Sequence, residues 1–336
     1  MRRIIVIRLG AYGDCLVVSP LLRFLKEKKN KEVFVLTQDR GMEVFKNNPF
    51  IDKLIYHEPD SIPPEKLGEY FEALKSSYEC DELLDLCESI ECKLVLHPSQ
   101  PQYNWTKEER FKLCNKNYYD FTFELAGYPE EKGHLPEMYF TDEEEERNAE
   151  FRKDFLGSFI ILWCLSGSAL HKSYPYTAYV MHQILKKYPD VVFITVGDEK
   201  CQILETELNN ERIIHKSGKW SFRETALMCK YASLVVSPDT GVLHASGCFD
   251  TPKIGLLNHT TRENITKYFK NDFSIEAKVS CAPCFRLIYD AHLQCPIDPI
   301  TDTCWCSAFG IDADLLVERI EEVYDKVSSL QETNIG

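Results

Sequence analysis

Three short stretches hold residues whose types and spacing can do chemistry. The first is Arg8-Leu9-Gly10-Ala11-Tyr12-Gly13-Asp14, directly behind an aliphatic run. Gly10 and Gly13 let the main chain come close to a ligand where a strand gives way to a helix. A third glycine is missing, because Cys15 and Leu16 follow, and Asp14 would repel a pyrophosphate. The corner is therefore no simple phosphate cradle. Two roles fit Asp14: a cap on the helix, or a carboxylate at the C-terminal edge of a parallel sheet, where it acts as general base on a hydroxyl.

The second stretch is Ser237-Pro238-Asp239-Thr240-Gly241-Val242-Leu243-His244. A strand ends and a turn of small residues opens a helix. Thr240, Gly241 and the neighbouring amides can hold a diphosphate, helped by the helix dipole, and His244 lies one turn on as a further donor. The third is Ala169-Leu170-His171-Lys172-Ser173-Tyr174-Pro175, which places Lys172 on a loop after an apolar strand. There it either neutralises a phosphate or is a solvated surface lysine.

A fourth group is rich in thiols. Of fourteen cysteines, five fall within residues 281–306. Cys281 and Cys284 form a CxxC knuckle, followed by Cys295, Cys304 and Cys306. Four thiolates suit tetrahedral Zn or Fe. Cys281, Cys284, Cys295 and Cys304 are the expected ligands, with Cys306 as the alternative fourth; reduced structural thiols or a disulfide are the competing readings. Pro283, Pro296 and Pro299 disfavour a packed core here, so a metal would act as a structural staple. Full thiolate ligation leaves no open position for catalysis.

The elements that must position these groups alternate between short aliphatic runs and amphipathic helical patterns, the mark of βαβ units. Strands are expected at residues 3–8, 33–37, 53–57, 159–164, 191–196, 212–215, 234–237 and 253–257. Helices are expected at 13–29, 40–47, 64–77, 107–126, 176–188, 199–208, 223–231, 242–248 and 312–330. Pro20 predicts a kink or a late start for the first helix. The acidic run 141–150 reads as a linker running into a helix. The expectation is two α/β halves, 1–150 and 151–311, with a final helix, 312–336.

The chain of 336 residues suits about two domains. It is 44% hydrophobic and 27% charged, enough for a sizeable core. Its longest apolar run, 159–165, is far short of the roughly 20 residues of a membrane helix. Arg8 and Asp14 break what would be a signal segment. A cytoplasmic protein with reduced thiols is expected. A net charge of −14 argues against nucleic-acid binding through bulk charge. Residues 1–31 nevertheless carry a local charge of +6, which reads either as a basic face for an anionic substrate or as a solvated helix end.

Together the motifs resemble the family 9 glycosyltransferases, the heptosyltransferase-like enzymes. IVIRLGAYGDCLVVSPLLRFLK is similar to that family's opening pattern, VVSPDTGVLHASGCFDTPKIGLLNHTT to its second signature, and HKSYP to its lysine segment. Two departures stand out: Tyr174 where the family commonly has Trp, and Ser237-Pro238 before the D-T-G element. They leave the donor's base and sugar open.

The resemblance implies a GT-B architecture. Two Rossmann-like domains face each other across a cleft, acceptor on the first and nucleotide-sugar on the second, and the last helix returns to the first domain. It implies an inverting transfer with no catalytic metal or other cofactor. Asp14 would be the general base; Gly10 and Gly13 would shape the acceptor loop. Lys172, Asp239, Thr240, Gly241 and His244 would hold the donor, with Glu199 on its ribose. The expected reaction moves a sugar, a heptose from an ADP-heptose-like donor, onto an envelope glycan such as lipopolysaccharide core, with peripheral contact at the inner face of the inner membrane. A protein acceptor is the runner-up. A nicotinamide-dependent oxidoreductase is opposed by the missing glycine and by Asp14. A non-catalytic metal-stapled binding protein is opposed by the presence of Asp14, Lys172, Asp239 and His244 together.

Overall fold

The computed structural model describes residues 2–95, 97–287, 295 and 305–333. The chain forms two compact units. The first comprises Met1–Cys92 and Asn117–Thr141; the second comprises Lys93–Lys116 and the chain from Asp142 onward.

In the first unit β1 (Arg2–Ile7), β2 (Lys31–Thr37), β3 (Lys53–Tyr56) and β4 (Glu82–Asp85) make one sheet in the order β3-β2-β1-β4. Every pairing is parallel. Ile4 to Ile7 are buried, as expected for a strand covered on both faces. The chain moves outward from β1 to β2 and β3, then returns to β4 on the other side. The C-terminal ends of β1 and β4 thus form a topological switch point, the place where open α/β sheets keep ligands.

The helix Tyr12–Glu27 follows β1 and runs through Pro20 without a break. Pro20 has no N–H for the Leu16 carbonyl. The Ser19 hydroxyl donates to that carbonyl instead, at 2.7 Å, and accepts from the Glu137 amide at 2.8 Å. The neighbouring side chain therefore satisfies the acceptor that proline orphans.

The +6 segment is largely neutralised within its own unit. Arg3 pairs with Glu32 at 3.0 Å, Arg23 with Glu137 at 3.1 Å and Lys26 with Asp52 at 2.6 Å. Lys31 and Arg2 both reach Glu82. The acids come from distant parts of the chain, so a local charge count misses them.

In the second unit β5 (Phe159–Cys164), β6 (Val191–Val196), β7 (Ile213–His215), β8 (Leu234–Pro238), β9 (Lys253–Leu257) and β10 (Ile275–Glu276) form a six-stranded sheet in the order β10-β9-β8-β5-β6-β7. All pairings are parallel. Counted from β5, this is the doubly wound order, with its switch point between β5 and β8.

Two segments depart from the sequence expectation. The acidic run is the helix Asp142–Arg152, which belongs to the second unit rather than to a linker. Glu144 is buried and accepts from Arg223 at 2.6 and 2.7 Å, and Glu145 accepts from Lys230 at 2.7 Å. The last helix, Ala313–Thr333, buries Leu316, Ile320 and Val323 in the second unit's core, beside the helix Thr177–Lys187. Its apolar stripe finds a partner there.

The expected helix 107–126 is two helices, Lys107–Cys114 and Tyr118–Leu125. Asn117 caps the second by accepting from the Tyr119 and Asp120 amides, and the chain changes unit at that point. Residues 93–116 are held in the second unit by main-chain bonds. Buried Arg110 donates to the Phe285 carbonyl at 3.0 Å, and Asn264 donates to the Cys114 and Lys116 carbonyls at 2.8 Å each. Among the described residues no helix is long and apolar enough to cross a membrane.

Candidate functional site

The first corner stands at the switch point of the four-stranded sheet. Asp14 is in the first turn of the helix after β1, and its Oδ2 accepts from the Ala11 amide at 2.9 Å. Its Oδ1 is paired with Arg8, whose guanidinium also donates to the Asp14 carbonyl at 3.1 Å and to the Leu86 carbonyl beyond β4. Arg8 is nearly inaccessible. Burial opposes its charge, but the neighbouring anions, Asp14 foremost, outweigh that and raise its pKa. The Asp14 side chain keeps 15% of its surface open.

Gly10 fits this arrangement closely. Its φ is +132°, and a Cβ there would stand 2.8 Å from Asp14 Oδ2. Gly13 lies in the first turn of the helix. Asp14 is thus both a cap and an accessible carboxylate, so the two readings of the sequence meet in one group. The sequence reading gave Arg8 no role in holding it.

The second corner stands at the switch point of the six-stranded sheet, where β5 and β8 end. Thr240 precedes the helix Gly241–Ser246, and its side chain does not cap that helix. The Thr240 hydroxyl instead meets Ser237 Oγ at 2.9 Å and the Cys164 thiol at 3.7 Å. The Thr240 hydroxyl therefore leaves the first turn of the helix uncapped, and that turn holds no acid of its own. Gly167 draws the β5 loop against this turn: a Cβ on it would lie 2.7 Å from Thr240 Cγ2 and 2.8 Å from Lys172 Cδ. Lys172, Asp239, Thr240, Gly241 and His244 are thus brought together, and Lys172 is buried rather than loose on a surface loop.

Asp239 is buried as well. His244 Nε2 lies 3.8 Å from its Oδ1, and His259 Nε2 lies 3.5 Å from its Oδ2. Thr260 Oγ1 donates to Oδ2 at 3.3 Å. Asn258, His259 and Thr260 follow β9 on the same sheet edge, and the sequence reading quoted them within the second signature without giving them a role. His171 packs edge-on against His259, with ring centroids 4.5 Å apart. Burial first, then the charge of Lys172, pushes His171 down to about 3.

Glu199 is in a short 3-10 turn after β6, against Gly218, and is exposed. It shares the sheet edge with the second corner but is no part of the Lys172–Asp239 cluster. Tyr174, the departure from Trp, is buried and its hydroxyl donates to the Ile311 carbonyl at 3.1 Å. It anchors the approach to the last helix.

The described thiols of the Cys-rich segment influence one another. Burial first, and among the remaining influences the charges of nearby thiols, raise Cys281, Cys284 (to about 11) and Cys306. Cys295 is one of those neighbours for all three. Cys304 lies outside the described residues, so Cys306 is the described companion of Cys281, Cys284 and Cys295. Among the described residues no three His, Cys, Asp or Glu side chains are arranged to hold a metal ion.

Comparison with known proteins follows the same lines. The chain is 24% identical over 291 residues to lipopolysaccharide heptosyltransferase 1 of Campylobacter coli, covering 77% of this chain and 84% of that protein. The solved ADP-heptose heptosyltransferase II of E. coli superposes with a TM-score of 0.67 over 99% of this chain and all of that one, at 14% identity. TibC of enterotoxigenic E. coli, an iron-containing dodecameric glycosyltransferase, gives 0.59 over 98% of this chain and 80% of that one, at 11% identity. These likenesses give the chain the GT-B fold. Residues 95–291 match the profile of glycosyltransferase family 9 (heptosyltransferase). With two parallel sheets, a glycine-bounded acid at one switch point and a lysine and D-T-G turn at the other, the chain belongs to glycosyltransferase family 9, the heptosyltransferases.

Proposed function

We propose that the protein transfers a heptose from an ADP-heptose-like donor to a hydroxyl of a lipopolysaccharide-type glycan, with inversion and without a catalytic metal. The observation that carries this reading is the packing of buried Lys172 and Thr240 around Gly167 at the switch point of the second sheet. There the stem of a lysine packs against the residue that opens a helix, where a parallel sheet offers its ligand site. The relative from Campylobacter coli supports the glycan acceptor.

In this mechanism Asp14 accepts the proton of the acceptor hydroxyl as its oxygen bonds to the anomeric carbon. The bond from that carbon to the donor's diphosphate breaks on the opposite face. Lys172 and the amides at 240–241 take up the charge that grows on the departing diphosphate. Arg8 and the Ala11 amide hold the Asp14 carboxylate while one edge stays open to the acceptor. Glu199, at the end of β6, contacts the nucleotide ribose. The reaction runs in the cytoplasm, where the lipid-linked acceptor is met at the inner face of the membrane.

A thermal-shift panel of ADP-, UDP-, GDP- and dTDP-sugars tests the donor class. Stabilisation by ADP-sugars is expected; a response to NAD alone would turn the reading toward an oxidoreductase.

The Cys-rich segment is proposed as a structural Zn or Fe staple held by Cys281, Cys284 and Cys295 with Cys304, or Cys306 as the alternative, as the fourth ligand. Thiol chemistry and the mutual influence of these groups support it, as does the iron-containing relative in fold. No step of transfer passes through it. Protein purified without added metal should carry about one Zn or Fe per chain; a folded, metal-free chain contradicts the staple.

A further inference from the structure

Behind the donor corner lies a buried group of side chains that the mechanism above leaves unused. Asp239 and His259 are both almost inaccessible, and His259 Nε2 faces Asp239 Oδ2 at 3.5 Å. That ring nitrogen makes no hydrogen bond among the described residues.

The protonation of the ring follows from Asn258. The Asn258 amide nitrogen donates to the His171 carbonyl, which fixes which end of the amide is oxygen. The oxygen end accepts from the His259 main-chain amide at 2.8 Å. It also meets His259 Nδ1 at 2.8 Å, so Nδ1 must carry a hydrogen. A neutral His259 then turns a bare lone pair from Nε2 toward a carboxylate oxygen. Two acceptors facing each other in a buried setting are costly unless a proton lies between them.

We propose that His259 and Asp239 share one proton, and that a diphosphate bound at the adjoining Lys172–Thr240 corner draws this proton in from solvent. The coupling rests on the donor reading above. His259 is a positioning residue: it acts on the donor through Asp239. Without the proton the pair has a net charge of −1; with it, zero. A diphosphate beside the pair favours the neutral form, so binding takes up a proton and tightens as pH falls.

Among the described residues, the other titratable or charged groups around the pair are His171 and Lys172 from the loop after β5, His244 from the helix after β8 and the Cys164 thiol of β5 behind Thr240. Burial, then His171 and Lys172, drive the pKa of His259 itself well down. The ring therefore enters the pair as an acceptor rather than as an independent cation. Lys172 supplies the fixed positive charge, and the pair removes a negative one when the ligand arrives.

Calorimetry of the full chain with ADP-glucose, whose phosphates have no ionisation near neutrality, tests this between about pH 6 and 8 in two buffers of different ionisation enthalpy. The expected result is uptake of a fraction of one proton, with affinity weakening by up to about tenfold per pH unit as pH rises. In His259→Gln the amide can still donate to Asp239 but does not titrate, so binding should persist with uptake near zero. Wild-type binding without uptake, or undiminished uptake in His259→Gln, overturns the coupling. Nitrogen-15 histidine spectra of the ligand-free protein test, without any variant, the tautomer on which the pair depends. A hydrogen on Nδ1 of His259 is expected, and a neutral ring protonated only at Nε2 overturns it. Absence of ADP-glucose binding at every pH overturns the donor reading and the coupling with it, while the spectra still decide the tautomer of His259.

Discussion

The two strand-to-helix corners use one topology in opposite ways. At the end of β1 the start of the helix is occupied by its own acid: Asp14 accepts from Ala11 and is pinned by buried Arg8. At the end of β8 Thr240 gives the helix no side-chain cap and is turned aside to Ser237 and Cys164, and the stem of Lys172 packs with it around Gly167. The first helix carries an acid in its first turn and the second does not. A sheet edge and a helix dipole therefore do not specify a phosphate site; what occupies the first turn decides.

Removing the anion from the first corner is the strongest way to break this contrast. Asp14→Ala should lower transfer by roughly 10²–10⁴-fold, the usual worth of a positioned base, while calorimetry still detects donor binding; full turnover would remove Asp14 from the reaction. Arg8→Met strikes the support of the same corner. It leaves a half-buried carboxylate without its partner and should cost about 3 kcal/mol in denaturant unfolding.

At the second corner Lys172→Met keeps the aliphatic stem and deletes the charge. Donor binding should weaken roughly 10- to 100-fold, the range of one hydrogen bond to a charged group, and unchanged affinity would separate Lys172 from the phosphates. The last effect, a dependence on pH rather than a fixed loss, concerns His171. Its folded pKa of about 3 lies below the ordinary 6.5. Below about pH 6.5 the unfolded chain takes a proton that the folded chain refuses, so stability is full above that pH and falls toward pH 3. The share of the slope due to His171 should approach about 1.4 kcal/mol per pH unit, and His171→Phe should reduce the slope by that amount.

Much of this was legible in the chain itself. Buried parallel strands are unbroken aliphatic runs, so β1, β5, β6 and β9 read directly, and motifs at their C-terminal ends fell on the sheet edge. The cluster of Lys172, Asp239, Thr240, Gly241 and His244 followed from that edge. What could not be read depends on partners far along the chain. The +6 segment seemed a basic face because Glu32, Asp52, Glu82 and Glu137 neutralise it from other elements. The acidic run resembled a linker because the Arg223 that buries Glu144 lies 79 residues away. His259 gave no signal, since its tautomer is set by the orientation of a neighbouring amide.

Residues 93–116 bear on how the protein can be divided. The chain enters the second unit at Lys93, leaves it at Lys116 and re-enters at Asp142. A fragment begun at Asp142 would lack Arg110 beneath Phe285 and the carbonyls of Cys114 and Lys116 that satisfy Asn264. An autonomous donor half would need that earlier stretch spliced back, because the polypeptide is interleaved rather than arranged in series.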